Sequence, residues 1–199
     1  MKIVVTDIAN QGDFFVFRLK VTHIMLIMCA MEKKIMNQEK LRLHRCCFTG
    51  HRPDKMGLGE KEIKPLLEKA IDDAIAEGYV TFITGMAMGT DIWAAEIVLE
   101  RKKTNKDLHL ICALPHPNFE SRRSMVEKMR FNKIMKNADL VKEINDHYFT
   151  GCYQVRNEWM VDKSNFVIAV FNGQKSWTKN TVDYAKRKGV NVVNVLDSI

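Results

Sequence analysis

The sequence predicts a doubly wound α/β fold: a mostly parallel sheet of about six strands with helices on both faces. Three observations carry this expectation. From Leu43 onward, short β-rich apolar runs alternate with longer amphipathic stretches. The first, second and fifth runs end in glycine, where a loop must leave a strand. No internal repeat or low-complexity linker breaks the alternation, and 199 residues with 46% apolar content and four prolines suffice for one packed domain.

The strand candidates, in order, are LHRCCFTG, YVTFITG, LHLICALP, ADLVKEI, NFVIAVFNG and VNVVNV. The first helix candidate, KEIKPLLEKAIDDAIAEG, places Leu67, Ala70, Ile71, Ala74 and Ile75 on one stripe, with Gly78 as its C-cap. Pro65 cannot donate to a helix interior, so the regular helix is expected to begin near it. TDIWAAEIVLERKK, SRRSMVEKMRFNKIMKNA, YQVRNEWMVDKS and KNTVDYAKRKG complete the helical set. Sheets of this kind bind ligands at the carboxyl ends of their strands, near the point where strand order reverses.

Residues 1–35 read differently. VTHIMLIMCAM is too short to span a bilayer, and the segment lacks the features of a secretion signal. The purine-rich codons implied by MEKKIM resemble a ribosome-binding site, so translation is expected to start at Met36. The alternative is an extra hairpin that pairs FFVFRLKV with HIMLIM. The main domain is accordingly taken as 36–199.

The net charge of +7 lies mostly on helix-like stretches such as ERKKTNKD and YAKRKG, which read as solvated faces rather than a basic stripe. Nucleic acid is therefore a weaker partner expectation than a small molecule. Five cysteines (29, 46, 47, 112 and 152) show no CxxC spacing, so no metal is expected; Cys46 and Cys112 read as reduced core thiols of a cytoplasmic protein.

Four stretches carry candidate chemistry. In FTGHRPDKMGLG, Gly50 permits a tight turn, and Arg52 offers a fork of donors to phosphate or carboxylate, or else to a surface salt bridge. His51 reads as a backbone-bonded structural histidine before it reads as a base. In TGMAMGTDIWAAE, Gly85 and Gly89 flank Met86 between strand and helix, where backbone N–H groups can face an anion. Asp91 there either caps the helix or meets a ligand, and Trp93 with Ala94 and Ala95 fits core packing.

In YFTGCYQVRNEWMVDKSN, Arg156 and Asn157 fall early on a helix. A cation at that end is unfavourable without an acidic ligand or an internal carboxylate partner. In VFNGQKSWTKNTVDYAKRKG, Gly173 ends a strand, and Ser176, Thr178, Asn180 and Thr181 can hold phosphate oxygens or cap the helix.

Taken together, CCFTGHRP, FITGMAMGTDIWAAE and GCYQVRNEWMVDKSN occur in the order found in the YpsA-like family of small bacterial and phage proteins (DUF1273), which this chain resembles over about residues 43–195. That family belongs to the SLOG superfamily of Rossmann-like domains. The resemblance implies a nucleotide-like ligand of the ADP-ribose, NAD or nucleoside-phosphate type, bound by a regulatory protein. It puts Gly85, Gly89 and Asp91 in the pocket and makes Arg52 and Arg156 the anion partners. It does not identify a cofactor, and a homo-oligomer is compatible with it.

Two departures matter. Relatives commonly carry a Gly-Gly-Thr turn after the fifth strand, whereas KSWTKNT has Trp177 there, which puts phosphate binding by that loop in doubt. The PGGxGTxxE motif of the LOG-type nucleotide hydrolases is missing, and with it their glutamate. Hydrolysis of a nucleotide by Asp91 or Glu96, and single-stranded nucleic-acid binding as in DprA-type proteins, stand as the alternatives.

Overall fold

The computed structural model describes residues 27–198 apart from 53, 54, 56 and 122. The chain divides into two compact units, 1–41 and 42–199. In the first, the described residues belong to helix α1, 27–42. The expected hairpin falls largely outside the described residues, but its last two positions, Ile27 and Met28, are helical. Met, Leu, Glu, Lys and Gln dominate this stretch, and all are good helix formers.

The second unit is built on one sheet with the strands β1 (Arg45–Gly50), β2 (Thr81–Thr84), β3 (His109–Leu114), β4 (Leu140–Glu143), β5 (Phe166–Val170) and β6 (Asn191–Asn194). Its order is β4-β3-β2-β1-β5-β6, and every pairing is parallel. Cys47 stands opposite Ile83 on one side and Val167 on the other, which fixes the register at the centre. The chain steps outward from β1 to β4 and then returns to β5 on the far side of β1, so strand order reverses between β1 and β5.

Five helices connect the strands: α2 (Glu60–Ala76), α3 (Thr90–Thr104), α4 (Met125–Asn137), α5 (Cys152–Asp162) and α6 (Trp177–Arg187). A 3₁₀ turn, Val195–Ser198, follows β6. The strand pleat sorts the core into two layers. Cys46, Phe48, Phe82, Leu110, Cys112 and Ile168 join Leu67, Ile71, Val98 and Ile134 of α2–α4 on one face. Cys47, Ile83, Ile111, Ala113 and Val167 join Met160, Val161 and Ala185 of α5 and α6 on the other. This alternation is the period-2 geometry of a strand buried on both faces.

Helix α2 starts earlier than Pro65 indicates. Glu60 opens it, Gly59 is the N-cap, and the Glu62 carboxylate accepts the Gly59 N–H at 2.9 Å. The stripe that includes Ile63 extends the buried face by one turn ahead of the proline, and burial of Ile63 outweighs the one backbone bond Pro65 cannot make. A charged network reinforces the start: Arg130 of α4 donates to Glu60 at 2.9 Å and to Glu96 of α3 at 2.6 and 2.7 Å, bridging three helices.

Leu67 is fully buried at the centre of the α2 stripe. Leu67→Ala is expected to lower unfolding free energy by about 2–5 kcal/mol in urea denaturation, with the slope against urea unchanged.

Candidate functional site

Parallel strands point their carboxyl ends to one edge of the sheet, and the loops after β1, β2, β3 and β5 gather there. The loop after β1 sits hard against the start of α3. A side chain at Gly50 would run into Thr90, whose Cβ and Cγ2 lie 2.6 and 2.8 Å from the position a Cβ would take. Gly50 is thus required by close approach. His51 follows, buried, its N–H donated to the Val170 carbonyl at 3.2 Å and its ring stacked on Phe171 at 5.6 Å. Burial lowers its pKa, which keeps the imidazole neutral at neutral pH. Arg52 is exposed at the mouth of the loop.

The loop after β2 is held by its neighbours rather than by its own glycines alone. The Thr84 hydroxyl donates to the Asp91 carbonyl at 2.9 Å and accepts the Met86 N–H at 3.2 Å. Met86 is fully buried with φ of 59°, a left-handed conformation uncommon for a residue with a Cβ and often found at functional sites. Gly89, φ 87°, is the N-cap of α3 and supplies no side-chain cap. Asp91 does not cap that helix; its Oδ2 accepts the Ala87 N–H at 3.0 Å, folding the loop back.

Arg156 is buried at the first turns of α5 and reaches across the sheet edge. Its Nη1 donates to the carbonyls of Gly85 and, at 3.3 Å, of Ala113, so it joins the ends of β2 and β3. A Cβ on Gly85 would meet the guanidinium and would lie 2.8 Å from Asp91 Oδ2. Gly85 is therefore the space that Arg156 occupies. Burial lowers the Arg156 pKa, and the nearby charge of Asp91 opposes that shift.

The remaining expected residues divide. Asn157 donates to the Thr181 hydroxyl at 3.1 Å and so ties α5 to α6 rather than joining the Asp91 cluster. Trp93 is buried in the core layer of α2–α4. Gly173 (φ 83°) and Thr178 lie in the β5–α6 connection and the first turn of α6. There the Ser176 hydroxyl is used as N-cap, accepting the Lys179 N–H at 3.1 Å, while Thr181 donates to the Trp177 carbonyl at 3.0 Å. Trp177 itself takes the first helical position, exposed, so the loop needs no glycine pair at that point.

The structure adds a residue the sequence reading missed. Arg123, in the β3–α4 loop, donates to the Met86 carbonyl and lies over the rings of Phe119 and Phe131, 4.9 and 4.8 Å from their centroids. Its Nη1 is buried and has no partner. Arg123 lines a cleft of about 360 Å³ with Glu60, Met88, Gly89, Ile92 and Trp93, over the starts of α2, α3 and α4. A larger cleft, about 640 Å³, lies between α6 and β6, lined by Lys179, Lys186, Val192 and Leu196 among others.

Burial raises the Asp91 pKa from its ordinary 3.8, opposed by the charges of Arg156 and Arg123. Glu96 is committed to Arg130, and also lies 3.6 Å from Lys64. Buried thiols are inert: burial pushes both Cys47 and Cys112 up to about 12. Among the described residues, no group of three or more His, Cys, Asp or Glu is placed to hold a metal ion, and no helix is long and apolar enough to cross a membrane.

Comparison with known proteins matches residues 46–194 to the model of the YpsA family, described as the YspA SLOG family. A UPF0398 protein of Halalkalibacterium halodurans is 28% identical over 136 residues, 64% of this chain and 72% of that protein. The uncharacterized SPbeta prophage-derived protein YoqJ of Bacillus subtilis strain 168 is 32% identical over 139 residues, 63% and 81% respectively. Among solved structures, DNA processing protein A of Streptococcus pneumoniae aligns with a TM-score of 0.58 at 18% identity, covering 76% of this chain. The chain spans 50% of that structure. DNA processing protein A of Helicobacter pylori, described for its single-stranded DNA binding mode, gives 0.53 at 16% identity, covering 81% of this chain and 73% of that one. At these identities the likeness establishes a shared Rossmann-like fold.

Two outcomes follow. Gly85→Ala is expected to cost about 1–3 kcal/mol by overpacking. In an Arg156→Ala background the guanidinium clash is gone and only the Asp91 carboxylate contact remains, so the added cost falls and a double-mutant cycle by urea denaturation yields a measurable coupling. For Asp91, a folded pKa above the unfolded one means the native state holds the extra proton, so stability is lost as pH rises through the window above 3.8. Asp91→Asn is therefore expected to be at least as stable as the parent at pH 7, with the difference vanishing near pH 4 in thermal unfolding scans.

Proposed function

We propose, on the premise that the chain belongs to the YpsA SLOG family, that the carboxyl edge of its sheet binds a nucleotide-derived ligand and acts as a sensor or regulatory module. One observation carries the reading. Among the described residues, the buried side-chain atoms without a hydrogen-bond partner are His51 Nε2, Thr90 Oγ1, His116 Nε2, Arg123 Nη1, Gln154 Oε1, Arg156 Nε and Ser164 Oγ, and all but Ser164 lie on loops and helix starts at this one edge. Unpaired buried polar groups cost stability, so their concentration at one place calls for a ligand or ordered water to complete them.

The start of α3 suits the phosphate. Its first-turn N–H groups receive no side-chain cap, in contrast to α4 and α6, which Ser124 and Ser176 cap. Arg123 Nη1 supplies a buried charged donor and Arg52 an exposed one. Asp91, an acceptor when ionised, takes hydrogen bonds from ribose hydroxyls. The β5–α6 hydroxyls of Ser176 and Thr181 already serve the helix, which favours α3 over α6.

Hydrolysis finds little support, because Glu96 is held by Arg130 and, among the described residues, Asp91 is in no group of three or more His, Cys, Asp or Glu. Single-stranded DNA, reported for the Helicobacter pylori relative, offers the same phosphate and sugar chemistry and so belongs in the test.

Titration calorimetry against AMP, ADP-ribose, NAD, a cyclic dinucleotide and a short single-stranded oligonucleotide is expected to show micromolar binding of at least one mononucleotide-type ligand. Arg123→Ala weakens it about tenfold or more, the worth of a charge-assisted bond, measured at a temperature where the variant is still folded. No binding at high micromolar concentration contradicts the proposal. Binding of the oligonucleotide alone, falling steeply with salt, replaces it with a nucleic-acid reading.

A further inference from the structure

Beside the proposed phosphate position lies a group of aromatic rings, two of which, Tyr148 and Tyr153, stand outside the core. His116, at the end of β3, is met edge-on by Phe119 at 6.2 Å, Tyr148 at 5.4 Å and Tyr153 at 5.9 Å, each within 78–79° of its plane. Tyr148 is 63% exposed and Tyr153 38%, so neither contributes to a core. Phe119 continues the row inward to the Arg123 guanidinium at 4.9 Å. The row thus runs from a buried cationic donor to open aromatic faces.

The polar atoms of this group are unsatisfied in a way that complements the rings. His116 shares a 2.8 Å hydrogen bond between Nδ1 and the Pro117 carbonyl, which makes Nδ1 the protonated nitrogen and leaves Nε2 an acceptor. Nε2 is buried under the surrounding rings and has no partner. The loop that presents Tyr148 is fixed in place: Asn145 donates to the Pro115 carbonyl at 2.7 Å and reaches the Cys152 carbonyl at 3.5 Å, tying it to β3 and to α5.

We propose that Tyr148 and Tyr153, over His116, form a nucleobase-stacking subsite adjoining the Arg123 anion position. Every base has a π face that stacks on an exposed aromatic ring, and the N–H edge of a base supplies the donor that His116 Nε2 lacks. Tyr148, the least packed of the rings, moves aside or sandwiches the base as it enters. The proposal rests on the nucleotide reading of the same edge, and it adds that the ligand carries a planar base rather than a bare sugar phosphate.

The test compares AMP with ribose 5-phosphate by calorimetry on the full chain. In the parent, AMP binds more tightly by about tenfold or more, the scale of one stacked base. Tyr148→Ala removes that preference and leaves ribose 5-phosphate affinity as it was; Tyr148→Phe keeps the preference, since the ring survives. Equal affinity for the two ligands in the parent, or a Tyr148→Ala variant that weakens both alike or neither, overturns the subsite while the phosphate position stands. Binding of neither ligand to the parent overturns the nucleotide reading and the subsite with it.

Discussion

The edge where the proposed ligand sits is organised by one buried arginine filling the space of a missing side chain. Arg156 enters from α5, passes over Gly85 and donates to carbonyls at the ends of β2 and β3. A buried guanidinium without partners costs several kcal/mol, so the arrangement depends on the two carbonyls that accept from it. Those contacts set the path of the loop from Gly85 to Gly89. That path in turn sets where α3 begins.

Around this constraint the molecule treats its two ends differently. Toward the amino ends of the strands, charged groups are matched: Arg101, near the end of α3, donates to Asp72 at 2.7 and 2.9 Å, and Asp139, just ahead of β4, accepts from Lys102 and from the Leu110 N–H. At the edge, Met86 takes a left-handed backbone, Asp91 is buried against its preference, and the unpartnered buried atoms accumulate. Stability given up in one region of an otherwise satisfied fold is the pattern expected of a binding site.

The fold was legible because its signals are local and repeated. The central strands are short apolar runs buried on both faces, while the edge strand β4 is exposed at every position, and the helix connections follow from their length. The start of α2 was not, because Pro65 marks a local preference, while the buried Ile63 that extends the helix is a tertiary fact. Gly85 and Asp91 stood out through the strand–glycine–helix pattern, and Arg156 through its conflict with the helix dipole. Arg123 did not, since SRRS reads as any polar helix entry, and only packing on Phe119 and Phe131 distinguishes it. Gly50 was read as a tight turn and Gly85 as a place where backbone faces a ligand, but the structure fills the space beside them with Thr90 and Arg156.

The central claim is a location: an anion held at the start of α3 within reach of Arg123. A crystal structure of the protein soaked with AMP tests it most directly. The account predicts phosphate density against the N–H groups after Gly89 and hydrogen-bonded to Arg123 Nη1. Phosphate found instead on the Ser176–Thr178 turn of α6, with Arg123 untouched, would contradict it.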